Sequence, residues 1–361
     1  MTVVHLGLPP VRAAVPAPGE PRPAGDALAD TFGRVAQDLR VSLTDRCNLR
    51  CSYCMPAEGM SWLPLEQTLD DAEVTRLIRV AVTLLGVREI RFTGGEPLLR
   101  KGLEQILAAT VALRTSDGRA PETSVTTNGL GLERRARGLV RAGLQRVNIS
   151  LDTLRPDRFE VLTRRDRLHD VVSGALAARD AGLSPIKINA VLMRGVNDDE
   201  AASLLRWTLR HGLHLRFIEQ MPLGPEGRWD RGAMVTADEI LTALTDEFEL
   251  VPTNQGRGTA PAQTWTVRDA DGRQGTVGMI ASVTRPFCGA CDRTRLTTDG
   301  QVRGCLFGDA ETDLRALLRR GADDAALAEA WRAAMWAKPA GHGIGAADFH
   351  QPQRTMSAIG G

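Results

Sequence analysis

Six short runs rich in Val, Ile and Thr recur between residues 38 and 221, separated by stretches of helical periodicity. They are "LRVSLT" (39–44), "EIRFTG" (89–94), "TSVTTN" (123–128), "RVNISL" (146–151), "IKINAV" (186–191) and "LRFIEQ" (215–220). β-Branched runs closed by Gly, Asn, Asp or Thr read as strands. Of the intervening stretches, "LDDAEVTRLIRVAVTLLG" is the clearest helix. Asp70 or Asp71 caps it, Val74, Leu77, Ile78, Ala81 and Leu85 form an apolar stripe, and Gly86 stops it. A second helix spans 132–142 and stops at Gly143. Successive strand–helix units imply a parallel sheet with right-handed crossovers, so the fold class is α/β. A doubly wound open sheet and a curled partial barrel both fit the pattern. In either, the strand C-terminal ends form one ligand-binding rim. Here that rim carries Thr44, Gly94, Gly95, Glu96, Thr126, Asn128, Ser150, Asp152, Asn189, Glu219 and Gln220.

Beyond residue 221 the alternation stops. A loop-like stretch leads to a helix over 237–248, then β-hairpins turning at "ADGR", then helices near 311–320 and 323–337. The expected organisation is a Pro/Ala-rich flexible extension (1–29), the repeated unit (30–225) and a C-terminal α+β region (226–361).

The six cysteines divide into two triplets. Cys47, Cys51 and Cys54 have C-x3-C-x2-C spacing directly after the first strand; Cys288, Cys291 and Cys305 have C-x2-C-x13-C. Six cysteines are too few to staple 361 residues as a secreted scaffold, and clustered cysteines in a reducing compartment bind metal or do redox chemistry. Structural zinc wants four ligands; neither triplet supplies four, and the six histidines lie away from the cysteine spacings. An iron–sulfur cubane held by three thiolates leaves one iron open to a ligand. The balance of 45 basic and 44 acidic residues gives a net charge of +1, so no whole-molecule field draws the chain to nucleic acid or an anionic membrane. The sequence lacks a membrane-spanning apolar run or a secretory leader pattern, and the cytoplasm is the expected location.

Cys47-x3-Cys51-x-Tyr53-Cys54 resembles the signature of the radical S-adenosylmethionine superfamily. That resemblance implies a partial (βα)6 TIM-type barrel, with the open iron chelated by the methionine moiety. It further implies contacts from Tyr53 to the adenine, from Gly95 of "TGGEP" to the methionine amino group, and from Ser150 of "NISLD" to the carboxylate or ribose. Met221 resembles a further position that contacts the cofactor. "FCGACDRTRLTTDGQVRGCLF" is similar to the C-terminal cluster motif of the GTP 3′,8-cyclases, which open molybdenum cofactor biosynthesis. "DLRVSLTDRCNLRCSYCMP", "RFTGGEPLLR", "TTNG", "RFIEQMPLG" and the terminal "GG" match the same family, so the resemblance covers residues 32–361.

The family implies two 4Fe–4S clusters, S-adenosylmethionine and a GTP substrate. A 5′-deoxyadenosyl radical removes the C3′ hydrogen of GTP, and C3′ then bonds to guanine C8. By resemblance Arg40, Arg91, Thr126, Lys187, Arg216, Arg293 and Arg295 bind GTP, and Arg293, Arg295, Gly360 and Gly361 belong to the catalytic centre. Guanidinium groups suit a triphosphate because they donate parallel hydrogen bonds to its oxygens. The chain departs from the family at Glu89, where a Lys often stands, which puts one phosphate contact in doubt. An electron donor, cyclic pyranopterin monophosphate synthase acting downstream, and homodimerisation are family-based expectations. The main rival is a radical S-adenosylmethionine enzyme that modifies peptides with an auxiliary cluster. A non-catalytic iron–sulfur carrier or zinc module is a second, but neither needs "GGEP" on a rim of six strand ends.

Overall fold

The computed structural model describes residues 22, 25, 27–225, 227, 229–253, 256–346 and 349–360. Most of the expected N-terminal extension and Gly361 therefore lie outside the described residues. All six expected strands are present, each within two residues of its sequence limits: β1 (Asp38–Ser42), β2 (Glu89–Thr93), β3 (Glu122–Thr127), β4 (Arg146–Ser150), β5 (Ile186–Ala190) and β6 (His214–Ile218). They pair in sequence order, all parallel. The connecting helices are α1 (Asp71–Leu84), α2 (Leu103–Val111), α3 (Leu132–Arg141), α4 (Pro156–Thr163), α5 (Leu168–Asp180) and α6 (Ala201–His211).

Local chemistry explains α1. The Asp70 carboxylate accepts from the Glu73 amide, and the Glu73 carboxylate accepts from the Asp70 amide, closing a capping box. Gly86, with φ of +72°, supplies the left-handed residue just past its end. Val74, Leu77, Ile78, Ala81 and Leu85 are all at most 1% exposed. A cap contributes about 1 kcal/mol, whereas each buried large aliphatic side chain contributes about 1.5–3 kcal/mol. Packing dominates, and the cap fixes where the helix begins.

Strands of a parallel sheet usually read as continuous apolar runs because both faces are covered. These alternate instead. Leu39, Val41, Ile90, Phe92, Val125, Val147, Ile149, Ile188, Leu215 and Phe217 are all at most 1% exposed and belong to one core cluster with the helices. The opposite face carries Arg40, Arg91, Thr126, Ser150, Asn189 and Arg216, all of which line a cavity. Period-two alternation thus marks a sheet curled around a polar interior.

The C-terminal segment extends this sheet at both edges. After α7 (Ala237–Thr245) come β7 (Glu249–Pro252), β8 (Gln263–Arg268) and β9 (Gln274–Ile280); β9 joins β6 in parallel, and β8 and β7 follow antiparallel. The expected hairpin at "ADGR" is the β8–β9 turn. On the other side β10 (Arg293–Leu296) pairs in parallel with β1, and β11 (Gln301–Arg303) and β12 (Thr312–Asp313) complete a twelve-strand sheet. Helices α8 (Leu314–Arg319) and α9 (Asp324–Trp336) match the sequence reading, and α10 (Met356–Ile359) is a single turn near the end. The architecture is a partial (βα)6 barrel with a C-terminal region woven into it. Glu219, 2% exposed, ties the two: its carboxylate accepts from the amides of Ala237, Val283 and Thr284. Among the described residues no helix is long and apolar enough to cross a membrane.

Candidate active site

One cavity of about 340 Å3 is lined by all six cysteines. Cys47, Cys51 and Cys54 reach it from the loop after β1; Cys288, Cys291 and Cys305 reach it from the segments before β10 and after β11. All six are free thiols and half-buried. Burial, with Cys47 adding to it, pushes the Cys54 thiol up to about 12. Clustered thiols of this kind give up protons when a cation takes them as ligands. Among the described residues no three His, Cys, Asp or Glu side chains converge on a single metal-ion position. A cubane spreads its thiolates over separate irons and needs no such convergence. The donor set therefore fits two three-thiolate clusters facing one interior.

The first triplet is anchored to the strand ends around it. Tyr53 donates from its hydroxyl to Asp152 Oδ2 at 2.7 Å, and Asp152 Oδ1 accepts from the Val191 amide at 2.8 Å. Burial raises Asp152 to about 6, with the Val191 and Tyr53 hydrogen bonds pulling the other way. Gly94 and Gly95 pack on the cysteine loop. A Cβ on Gly94 would stand 2.3 Å from the Thr44 carbonyl oxygen, and one on Gly95 would stand 2.3 Å from that of Arg46. Both glycines are thus demanded by backbone against backbone, and both line the cavity. Glu96, fully buried, accepts from Thr127 Oγ1 and from the amides of Leu98 and Asn128, stitching β2 to β3. Burial pushes its carboxyl up to about 7, against those three donors.

Around the second triplet the neighbours are cationic. Lys338 Nζ lies 3.4 Å from Cys291 Sγ and also donates to the carbonyls of Cys291 and Arg293. Arg293 Nη1 lies 3.6 Å from the same sulfur. Burial acts to raise the Cys291 thiol, but Lys338 and Arg293 outweigh it and hold the thiol below its ordinary value. Arg34 braces this loop by donating to the carbonyls of Cys288, Pro339 and Ala340.

Between the triplets stands a fan of guanidinium groups. Asp38 Oδ2 lies 3.7 Å from Arg40, 3.8 Å from Arg91 and 3.9 Å from Arg293. The Nε atoms of these three arginines are buried without a hydrogen-bond partner, as are Thr93 Oγ1 and Asn189 Oδ1. Orphaned buried polar groups are costly, and all of these except the Asn189 oxygen can donate. Several on one wall fit a bound polyanion that would satisfy them. Arg216 and Lys187 add charge nearby. Burial and then neighbouring cations depress Arg216 to about 10 and Lys187 to about 7.

Of the residues singled out in the sequence, Arg40, Tyr53, Arg91, Gly95, Thr126, Ser150, Arg216, Met221, Arg293 and Arg295 line this cavity with the six cysteines. Lys187 stands off the wall, two residues before Asn189 on β5 and in the field of Arg216, Arg146 and Arg91. Gly360 does not line the cavity itself; its carbonyl accepts at 2.6 Å from Arg295, which does. Asp38 and Lys338 carry no signal in the sequence, because an isolated charge does not announce which charges the fold sets beside it.

The Radical SAM superfamily profile matches residues 41–208, and Molybdenum Cofactor Synthesis C matches residues 213–344. A GTP 3′,8-cyclase of Corynebacterium glutamicum is 60% identical over 343 residues, covering 94% of this chain and 91% of the relative. The chain belongs to the GTP 3′,8-cyclase family. Family members of that name from Streptomyces coelicolor (59% identical; 94% of this chain, 98% of the relative) and Mycolicibacterium smegmatis (56%; all of both chains) agree. Among solved structures, SuiB of Streptococcus suis matches 86% of this chain and 68% of its own length at a TM-score of 0.55 and 16% identity. That likeness concerns the barrel fold alone.

Proposed function

We propose that the chain converts GTP to 3′,8-cyclo-7,8-dihydro-GTP, the first step of molybdenum cofactor biosynthesis, with S-adenosylmethionine and two 4Fe–4S clusters as cofactors. The observation that carries this reading is a single cavity lined by both cysteine triplets and by guanidinium groups of β1, β2, β6 and β10. Cys47, Cys51 and Cys54 would hold one cluster, three thiolates being one ligand short of a closed site. Once reduced by one electron, that centre supplies the chemistry for removing an unactivated hydrogen atom. The protein's own task is positioning. Tyr53, fixed by Asp152, presents its ring to the adenine, while Gly95, Ser150 and Met221 complete the cofactor's surroundings.

Cys288, Cys291 and Cys305 would hold the second cluster, and the guanine base would bind on their side of the cavity. Arg40, Arg91, Arg216, Arg293 and Arg295, with Lys187 and Thr126, bind the remainder of GTP, the triphosphate satisfying the orphaned guanidinium donors. Gly360, held by Arg295 through its carbonyl, helps keep water from the reacting carbons; Gly361 lies outside the described residues and is assigned to the same catalytic centre by family resemblance alone. An electron donor and, downstream, cyclic pyranopterin monophosphate synthase are the implied partners. A homodimer in the cytoplasm is the implied setting.

The test is anaerobic. Protein reconstituted with iron and sulfide is incubated with GTP, S-adenosylmethionine and dithionite. Formation of 5′-deoxyadenosine with a cyclised GTP derivative supports the reading; 5′-deoxyadenosine formed equally with and without GTP overturns the substrate assignment.

A further inference from the structure

Outside the active site, beside the first triplet, lies a cleft of about 320 Å3. Arg134, Arg135, Arg165 and Arg167 line it, together with Asn48 and the 44%-exposed Leu99, and no acidic residue does. Four guanidinium groups on one wall are a marked local excess in a chain of net charge +1. Arg135 pairs with Glu104 and Arg167 with Asp170. Arg134 and Arg165 are exposed; Arg134 acts on Asp170 only at longer range and Arg165 donates to the Arg164 carbonyl. The arginines are fixed to α3 and to the α4–α5 connection, so the charge belongs to framework rather than to a loose tail.

The cleft shares a wall with the cavity. Asn48 follows Cys47 directly, and its Oδ1 accepts from Asn128 Nδ2 at 2.7 Å. The same Asn128 amide nitrogen lies 3.8 Å from Cys47 Sγ, and both Asn128 and Cys47 line the cavity. One pair of side chains therefore separates the basic exterior from a first-triplet sulfur.

We propose that this cleft is the docking site of an acidic one-electron carrier protein that reduces the first cluster through the Asn48–Cys47 wall. The proposal rests on the reading that the first triplet holds a redox-active cluster. In the transfer the carrier loses one electron and the cluster gains it; no bond in the chain forms or breaks. A basic cleft steers an acidic partner and speeds its encounter, a gain that salt screens. Leu99 supplies an apolar contact within the charged ring, and transient electron-transfer interfaces are small enough for such a footprint.

The experiment uses the intact holoenzyme and follows cluster bleaching after mixing with an acidic, fully reduced flavodoxin or with dithionite. Expected is a flavodoxin rate that falls roughly tenfold between low salt and 0.15 M. Arg134→Glu combined with Arg165→Glu should cut that rate about tenfold or more, leaving the dithionite rate unchanged. The pair Arg134→Lys and Arg165→Lys should stay near wild type. If the double reversal loses iron, the single Arg134→Glu variant is measured and its flavodoxin rate decides. A charge-reversed protein reduced by flavodoxin at the wild-type rate overturns the proposal. So does a variant that loses retention of a single-stranded RNA probe while keeping its flavodoxin rate, which would assign the cleft to a polynucleotide. Wild type that makes no 5′-deoxyadenosine even with dithionite overturns instead the functional reading beneath it.

Discussion

Arg295 Nη1 donates to the carbonyl oxygen of Gly360 at 2.6 Å, in a fully buried contact between β10 and the end of the chain. Gly360 has φ of +86°, and a Cβ there would stand 2.4 Å from Thr93 Oγ1. Residue 360 thus sits against the C-terminal end of β2 only because it has no side chain. Gly360→Ala meets both a backbone penalty of about 1–3 kcal/mol for its sparsely populated conformation and that collision, so the tail must withdraw. GTP turnover should fall roughly a hundredfold, as misplaced active-site groups do, with iron content and melting temperature near wild type. Wild-type turnover in this variant would remove the tail from the site.

Lys187, proposed above to bind GTP, should make that binding pH-dependent. Burial, then Arg216, Arg146 and Arg91, lower its folded value to about 7, so above pH 7 it is mostly neutral in the ligand-free protein. A bound triphosphate favours the ammonium form, so binding above pH 7 takes up a proton. Affinity for GTP should be flat below pH 7 and weaken above it, by up to about tenfold per unit. The ligand-free fold should gain stability as pH rises from 7 towards 10.5, because there the unfolded chain binds the proton and the folded one does not. The KM for GTP measured against pH should show this bend in wild type and lose it in Lys187→Met. Parallel profiles would contradict the assignment.

Lys338 should tune the second cluster. It is 4% exposed, has no carboxylate partner among the described residues, and directs its ammonium at Cys291 Sγ and two carbonyls. A cation beside a ligand sulfur stabilises the reduced, more negative cluster. Lys338→Met should lower the second cluster's midpoint potential by about 60 mV, a tenfold change in a one-electron equilibrium. Lys338→Arg should restore most of it. An EPR-monitored redox titration reads both, and an unchanged midpoint in a methionine variant that retains its iron would refute the role.

The barrel strands were legible because their alternation is local: Arg40 between Leu39 and Val41, or Arg91 between Ile90 and Phe92, states which face is polar before any contact is known. The cap of α1 was legible for the same reason. The placement of β10 beside β1 was not, since nothing within "RTRL" announces a partner more than 250 residues away. Asp38 shows the same limit. In sequence it is one acid at the start of a strand; in space it stands between arginines from three different strands. At Gly95 the close approach is to the cysteine loop's own backbone, a neighbour that "TGGEP" does not announce.

Transfer of hydrogen from GTP to the cofactor tests the central claim most directly. Holoenzyme is incubated anaerobically with S-adenosylmethionine, dithionite and GTP deuterated at C3′, and the recovered 5′-deoxyadenosine is weighed by mass spectrometry. Wild type, with about eight irons per chain, should yield deuterated 5′-deoxyadenosine. The variant with Cys288, Cys291 and Cys305 replaced by Ala should keep about four irons and yield none with label. Unlabelled 5′-deoxyadenosine from wild type in the presence of GTP, or labelled product from the triple variant, would contradict an active site shared by the two triplets.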